Sequence, residues 1–157
     1  MRRRPRYADI HGKIYDYVKG LEDLEKRHIR FVGEPRKRMQ EDYLRVLRYF
    51  RFWAQMGEKN VDPKIQKCLP DIVPFLSGLS EDRRREEMFK IVTGPRARTT
   101  LKMMKKLGVL NESLQKIRFS KKQQKIIVRC ELEKMLESFN FSEYKERKGG
   151  KDGKFEK

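Results

Sequence analysis

Histidine and cysteine are scarce, with two of each among 157 residues. Cys68 and Cys130 lie too far apart for a CxxC pair, and His11 and His28 do not complete a zinc-ligand pattern with them. Two cysteines are no disulfide framework, which predicts reduced thiols and an intracellular protein. Long apolar runs are missing as well. Stretches such as Ile126-Ile127-Val128 fall far short of the roughly 20 residues a bilayer-spanning helix needs, so no membrane partner is expected. The opening Arg2-Arg3-Arg4-Pro5 has no apolar stretch behind it, which argues against a secretory signal. An organelle address is weakly suggested, because Asp9 and Asp16 follow soon after, and the expected location is mitochondrial or cytoplasmic.

Negative charge is also in short supply. Lys and Arg total 40 against 23 Asp and Glu, a formal net charge of +17. The excess is spread along the chain: +7 over residues 1–57, +6 over 58–119 and +4 over 120–157. A long positive path of this kind predicts contact with the phosphates of RNA or DNA, and phosphate contact positions a nucleic acid without specifying its bases. With 37% apolar residues against 40% charged, the core must be modest and the length suits one ordinary domain.

Hydrophobic periodicity predicts a mainly α fold, a helical bundle with a short strand-and-turn N-terminal segment. Ile14 to Val18 alternates between Gly12 and Gly20, as a strand does; an acidic helix follows at Leu21–Lys26, and Ile29 to Val32 alternates again before Gly33. From Arg36 to Met56 there is no Gly or Pro. Met39, Tyr43, Leu47, Phe50 and Ala54 form one stripe, widened by Leu44, Val46 and Trp53, which predicts a single long helix. Asp62-Pro63 and Ser80 read as helix starts, with Pro70 and Pro74 expected to break or kink the first of these helices. Met88, Ile91 and Val92 are the buried candidates of the Ser80 helix, which Gly94-Pro95 stops. A further helix spans Arg96 to Leu107 and closes at Gly108; Asn111 caps a short turn through Ile117; and Ser120 starts a last helix to about Ser138, docked by Ile127, Leu132, Met135 and Leu136. After the N-terminal segment a bundle of five or six helices is expected. Residues 145–157 are Lys-, Glu- and Gly-rich and predicted disordered.

Residues 29–52 carry a more specific signal. The strand-like Ile29–Val32, the Gly33-Glu34-Pro35 turn and Gln40-Glu41-Asp42-Tyr43-Leu44-Arg45 running on to Phe52 closely resemble the neck of class II CCA-adding enzymes, the tRNA nucleotidyltransferase and poly(A) polymerase family. The family's Glu-Asp-x-x-Arg motif is matched by Glu41, Asp42 and Arg45. Gly12 to Tyr17 and Gly20 to Leu24 match the segment that closes the family's head domain. Ser80 to Glu87 is similar to the family's Ser-x-Glu-Arg-x-x-x-Glu, departing from it at Asp82 and at Arg84, where an apolar residue is usual. The resemblance implies a division into the end of a head domain (1–33), a neck and start of body (34–118), a C-terminal helix (119–144) and a tail.

The chemistry of the motif is intelligible without the family. On one helix, Asp42 and Arg45 would project from the same face. A carboxylate accepting from an exocyclic amine and a guanidinium donating to a ring nitrogen or carbonyl could together read the edge of cytosine or adenine. An ordinary salt bridge is the alternative for any Asp-x-x-Arg. The resemblance implies selection of CTP and then ATP. Arg36, Lys37, Arg38, Arg48, Arg51, Arg83, Arg84 and Arg85 are candidate phosphate contacts. Tyr49, Phe50, Phe52 and Trp53 are either stacking aromatics or core, with core expected for Phe50 and Trp53.

Nucleotidyl transfer also needs carboxylates that hold divalent metal. The sequence contains no Gly-Ser dipeptide, no Asp-x-Asp and no Arg-Arg-Asp. The expectation is therefore a nucleotide-selecting and tRNA-binding portion, inactive without a separate catalytic head, with Mg and CTP or ATP implied for the complete enzyme. A non-catalytic RNA-binding scaffold and a poly(A) polymerase fragment are the alternatives.

Overall fold

The computed structural model describes residues 6–8, 10–56 and 61–129. Cys130, Leu132, Met135, Leu136 and the tail expected to be disordered lie outside the described residues. Two three-residue strands, β1 (Arg6–Ala8) and β2 (Ile14–Asp16), pair antiparallel with Tyr7 opposite Tyr15. Gly12 between them has φ of +80°, a left-handed conformation that suits glycine. Helix α1 (Gly20–Glu25) follows, and Asp16 prepares it by accepting hydrogen bonds from the Val18 and Leu21 amides at 3.2 and 2.7 Å.

The second expected strand does not form: residues 29–32 are irregular. Their side chains are committed elsewhere. Phe31 stacks on Tyr49 with ring centroids 6.0 Å apart, and Ile29 packs on the core edge. Arg30 reaches back to Asp23 at 2.8 Å and to the Val18 carbonyl at 2.7 Å.

The long neck helix is two helices, α2 (Pro35–Glu41) and α3 (Leu44–Met56). Pro35 at the first position and Glu34, whose carboxylate accepts from the Lys37 amide, start α2. Helix α4 (Pro63–Ile72) is capped by Asp62, which accepts from the Lys64 amide at 2.7 Å. It runs through Pro70 for two residues before tightening into a 3₁₀ segment, Val73–Gly78, that contains Pro74. Ser80 caps α5 (Glu81–Val92), and α6 (Ala97–Lys106) follows Gly94-Pro95. Helix α7 (Val109–Leu114) begins two residues before Asn111, straight after Gly108, because Val109 and Leu110 are drawn into the core. Helix α8 (Lys121–Arg129) opens on Ser120, whose hydroxyl accepts from the Gln123 amide while Gln123 Oε1 accepts from the Ser120 amide.

The fold is thus mainly α, as the periodicity implied. Eight α-helices are present among the described residues: α1, expected at 21–26, and seven after it, more than the five or six expected there, because the helix from Arg36 to Met56 divides and the turn expected at Asn111 is a helix at 109–114. Helix α3 is the centre. Leu44, Val46, Leu47, Tyr49, Phe50, Trp53 and Ala54 are all buried, so residues on most of its circumference meet protein. Its main neighbour is α5, through Met88, Ile91 and Val92; α6 adds Leu101 and Met104. Phe50 and Trp53 are core, as expected, and Tyr49 joins them while its hydroxyl accepts from the Asp62 amide at 3.1 Å. Replacing Trp53 with alanine should therefore cost about 3–5 kcal/mol of unfolding free energy, read as a lower midpoint in urea at an unchanged slope.

Candidate nucleic-acid interface

The break between α2 and α3 is made by Asp42 itself. Its backbone is extended, with φ of −158° and ψ of 102°, and one carboxylate oxygen accepts from the Leu44 amide at 3.2 Å. The Asp42 carbonyl accepts from the Arg45 amide at 3.0 Å. Aspartate satisfies orphan amides at a helix start better than it sits inside one, and here it opens α3. Asp42 and Arg45 therefore do not share one helical face by three-residue spacing. They flank a chain break, and each is oriented by different groups.

Asp42 is held across the bundle. Arg83 Nη2, from the first turn of α5, lies 3.3 Å from both carboxylate oxygens, and Arg48 Nη1 lies 3.8 Å from one of them. The Asp42 side chain keeps 22% of its surface open. Arg45 Nη1 donates to the Arg38 carbonyl at 2.8 Å, one of the last carbonyls of α2, and to Glu41 Oε2 at 2.7 Å. Arg38 meets the same Glu41 oxygen at 2.5 Å. The hydrogen bond from Arg45, helped by that from Arg38, holds the Glu41 carboxyl below the usual carboxylate range. Glu41 is thus a brace for Arg45 and Arg38 in this arrangement.

One turn along α5 from Arg83 stands Glu87, only 5% exposed. Arg51 Nη1 donates to one of its oxygens at 3.2 Å and lies 3.1 Å from the other, a charge contact in which that second oxygen has no hydrogen bond. Arg48 and Lys90 approach Glu87 at 3.8 and 3.7 Å. Two carboxylates, Asp42 and Glu87, are therefore shared by Arg48, Arg51, Arg83 and Lys90 along the α3–α5 seam, leaving an excess of positive charge. Burying Glu87 without such partners would cost several kcal/mol. The sequence marked Glu87 only as part of a motif; its spacing of four from Arg83 was the signal that both face α3.

Arg84 does not belong to any phosphate-binding surface. It is 2% exposed, and its guanidinium donates to the carbonyls of Leu79 at 3.1 Å, Ser113 at 3.1 Å and Gln115 at 2.8 Å. It thereby ties the start of α5 to the end of α7, and burial lowers its pKa from the ordinary arginine value. Arginine at the place where an apolar residue was expected acts as a core residue with a polar end. Arg36 pairs with Asp71 at 2.5 Å, and Arg85 pairs with Glu81 and Asp82. Arg36, Arg48 and Arg83 remain substantially exposed, whereas Arg38 and Arg51 are more enclosed. Phe52 lies on the surface, with the Arg51 guanidinium over its ring at 4.7 Å. A further basic groove of about 700 Å³, lined by Arg85, Phe89, Arg118, Phe119 and Lys122, runs between α5 and the start of α8.

Residues 60–118 match a family described as "Probable RNA and SrmB- binding site of polymerase A". The chain is 39% identical over 90 residues to the human "CCA tRNA nucleotidyltransferase 1, mitochondrial", covering 56% of this chain and 21% of that protein. The zebrafish (Danio rerio) protein of the same name is 36% identical over 105 residues, 66% of this chain and 24% of its own length. A "CCA-adding enzyme" from Lactobacillus helveticus is 41% identical over 90 residues, 57% of this chain and 22% of its own. In three dimensions the chain matches a Bacillus stearothermophilus CCA-adding enzyme solved in complex with CTP, with a TM-score of 0.64, 32% identity, and coverage of 78% of this chain and 30% of that one. Over this stretch the chain is similar to CCA-adding enzymes. The chain spans about a quarter of the length of the curated relatives it matches.

Along α5, the roles of neighbouring arginines separate cleanly. Arg84→Ala should lower the unfolding free energy by roughly 2–3 kcal/mol, since carbonyls lose a charged donor. RNA affinity measured below the melting transition should stay at the parent value. Arg83→Ala should do the reverse, with little loss of stability and weaker RNA binding.

Proposed function

We propose that this chain supplies the nucleotide-selecting and tRNA-binding portion of a CCA-adding tRNA nucleotidyltransferase, working in tRNA 3′ end processing. The observation that carries this reading is the junction between α2 and α3. There Asp42 is held by Arg83 and Arg48, and Arg45 by Glu41 and the Arg38 carbonyl, so that an acceptor and a donor are fixed a few residues apart. Such a pair suits the amine and the adjacent acceptor of cytosine or adenine, and uracil would leave the carboxylate facing a carbonyl. The CTP complex of the Bacillus stearothermophilus relative and the RNA-binding description of the matched family support it.

Among the described residues no group of three His, Cys, Asp or Glu is arranged to hold a metal ion. This donor set does not fit the magnesium site of nucleotidyl transfer, so no bond-making step is assigned to this chain's residues. The chemistry falls to a catalytic head, with Mg and CTP or ATP as its needs. A head would find suitable ground at residues 10–33. These carry five basic and four acidic side chains, nearly neutral beside the rest of the chain. They also leave Ile10, Ile14, Tyr17, Leu21, Leu24 and Val32 exposed, a composition that suits protein contact better than phosphate.

Mixing the chain with a separately produced family head, magnesium, CTP, ATP and tRNA lacking its terminus should yield CCA addition. Asp42→Ala or Arg45→Ala should then reduce the preference for CTP over UTP by about tenfold. Absence of addition with a head that is itself folded would support a non-catalytic scaffold instead. The words "polymerase A" in the matched family favour a second reading, a poly(A) polymerase portion, for which the mixture would add A without C. Independently, tRNA affinity should fall steeply with salt, by about a thousandfold between 50 and 200 mM if six phosphates are neutralised. A flat response would show that the +17 charge serves something other than RNA.

A further inference from the structure

Of the eight aromatic side chains between residues 43 and 119, four are buried, Tyr43 and Phe89 are half-buried, and Phe52 and Phe75 are exposed, Phe75 with 54% of its surface open. A lone exposed apolar side chain is ordinary. Phe75 is different because it is clamped. Its ring lies 5.0 Å from that of Tyr43 at an interplanar angle of 9°, a parallel stack. Both rings are held by backbone. In the 3₁₀ segment Val73–Gly78, with three residues per turn, Val73 and Leu76 are buried on one side, which turns Phe75 outward. Ser77 Oγ bonds back to the Pro74 carbonyl at 3.2 Å, and the Leu79 amide closes the end on Leu76. Tyr43 occupies the break between α2 and α3, directly after Asp42, with its carbonyl bound by the Val46 amide at 3.1 Å.

We propose that the Tyr43–Phe75 stack is a docking platform for one unpaired base of single-stranded RNA, next to the residue that reads the incoming nucleotide. This rests on the RNA-binding reading above and names the part of the RNA that the neck takes. Every base has a π face, so an aromatic platform accepts any of them, and a ring already fixed by its neighbour loses little freedom on binding. The surroundings favour a base over a protein. Asp71, four residues before Phe75, is exposed and pairs with Arg36, Tyr43 directly follows Asp42, and Ile72, Val73 and Leu76 are buried, so Phe75 is a single exposed ring and not part of a broad apolar patch. Phe75 also lies within residues 60–118, the stretch that matches the RNA-binding family.

The test uses the whole chain and a twelve-nucleotide RNA carrying 2-aminopurine near its 3′ end, with a blunt duplex of about the same length as control. Phe75→Leu should weaken single-strand binding by about tenfold and abolish the change in 2-aminopurine emission, leaving duplex affinity and the salt slope unchanged. Phe75→Trp should keep the affinity and gain tryptophan quenching on binding. Circular dichroism at parent level establishes that each variant is folded. Single-strand affinity unchanged in Phe75→Leu overturns the platform, leaving the stack as ground for a protein partner, while the RNA-binding reading survives. An equal loss on single strand and duplex overturns it too. If the parent chain binds neither RNA, both readings fall.

Discussion

One carboxylate decides the geometry of the neck. Asp42 bonds to the Leu44 amide in place of continuing α2, and the same group is then reached by Arg83 from α5. A residue that stayed helical would carry the chain straight on. With Asp42 extended, α2 leans on α4 while α3 goes down the middle of the bundle against α5 and α6. The direction of α3, the half-buried position of Tyr43 and the separation of Asp42 from Arg45 all follow from that turn.

The second consequence is a division of labour among arginines that look alike in the sequence. Arg84 serves the bundle, spending its donors on the carbonyls at the end of α7. Arg83, one residue earlier, serves Asp42, and Arg51 serves Glu87. On α5 a shift of one residue is a rotation of about 100°, enough to turn a side chain from seam to core. The +17 charge is therefore not a uniform coat: part of it is structural, part is matched by acids along the α3–α5 seam, and the remainder faces solvent.

Much of this fold was legible because its helices carry local punctuation. Asp62-Pro63, Ser80, Gly94-Pro95 and Gly108 each act through short-range hydrogen bonds or a fixed dihedral, and each stands where the chain changes course. The Asp42 break was not legible, because it uses no Gly or Pro and the apolar stripe runs across it without a change of period. Strand β1 was hidden in an arginine-rich stretch whose pairing depends on a partner eight residues on. Ile29 to Val32 alternates like a strand, and tertiary packing of Phe31 overrode that pattern. At the site, residue type suggested charge chemistry for Arg84, but burial is a property of the assembled bundle and cannot be read from a run of three arginines. Glu87 shows the same limit from the other side: its role comes from α3, which lies 31 or more residues away in the sequence.

The bond from Arg45 to the end of α2 bears on how a ligand would meet this surface. Glu41 and the Arg38 carbonyl already hold the guanidinium, which spares a newcomer the cost of immobilising a long side chain. The same bond sets a threshold, because an incoming acceptor has to displace a carboxylate that hydrogen bonding keeps ionised. A weakly accepting molecule gains nothing from the exchange, so Glu41 is a resident competitor for the Arg45 guanidinium.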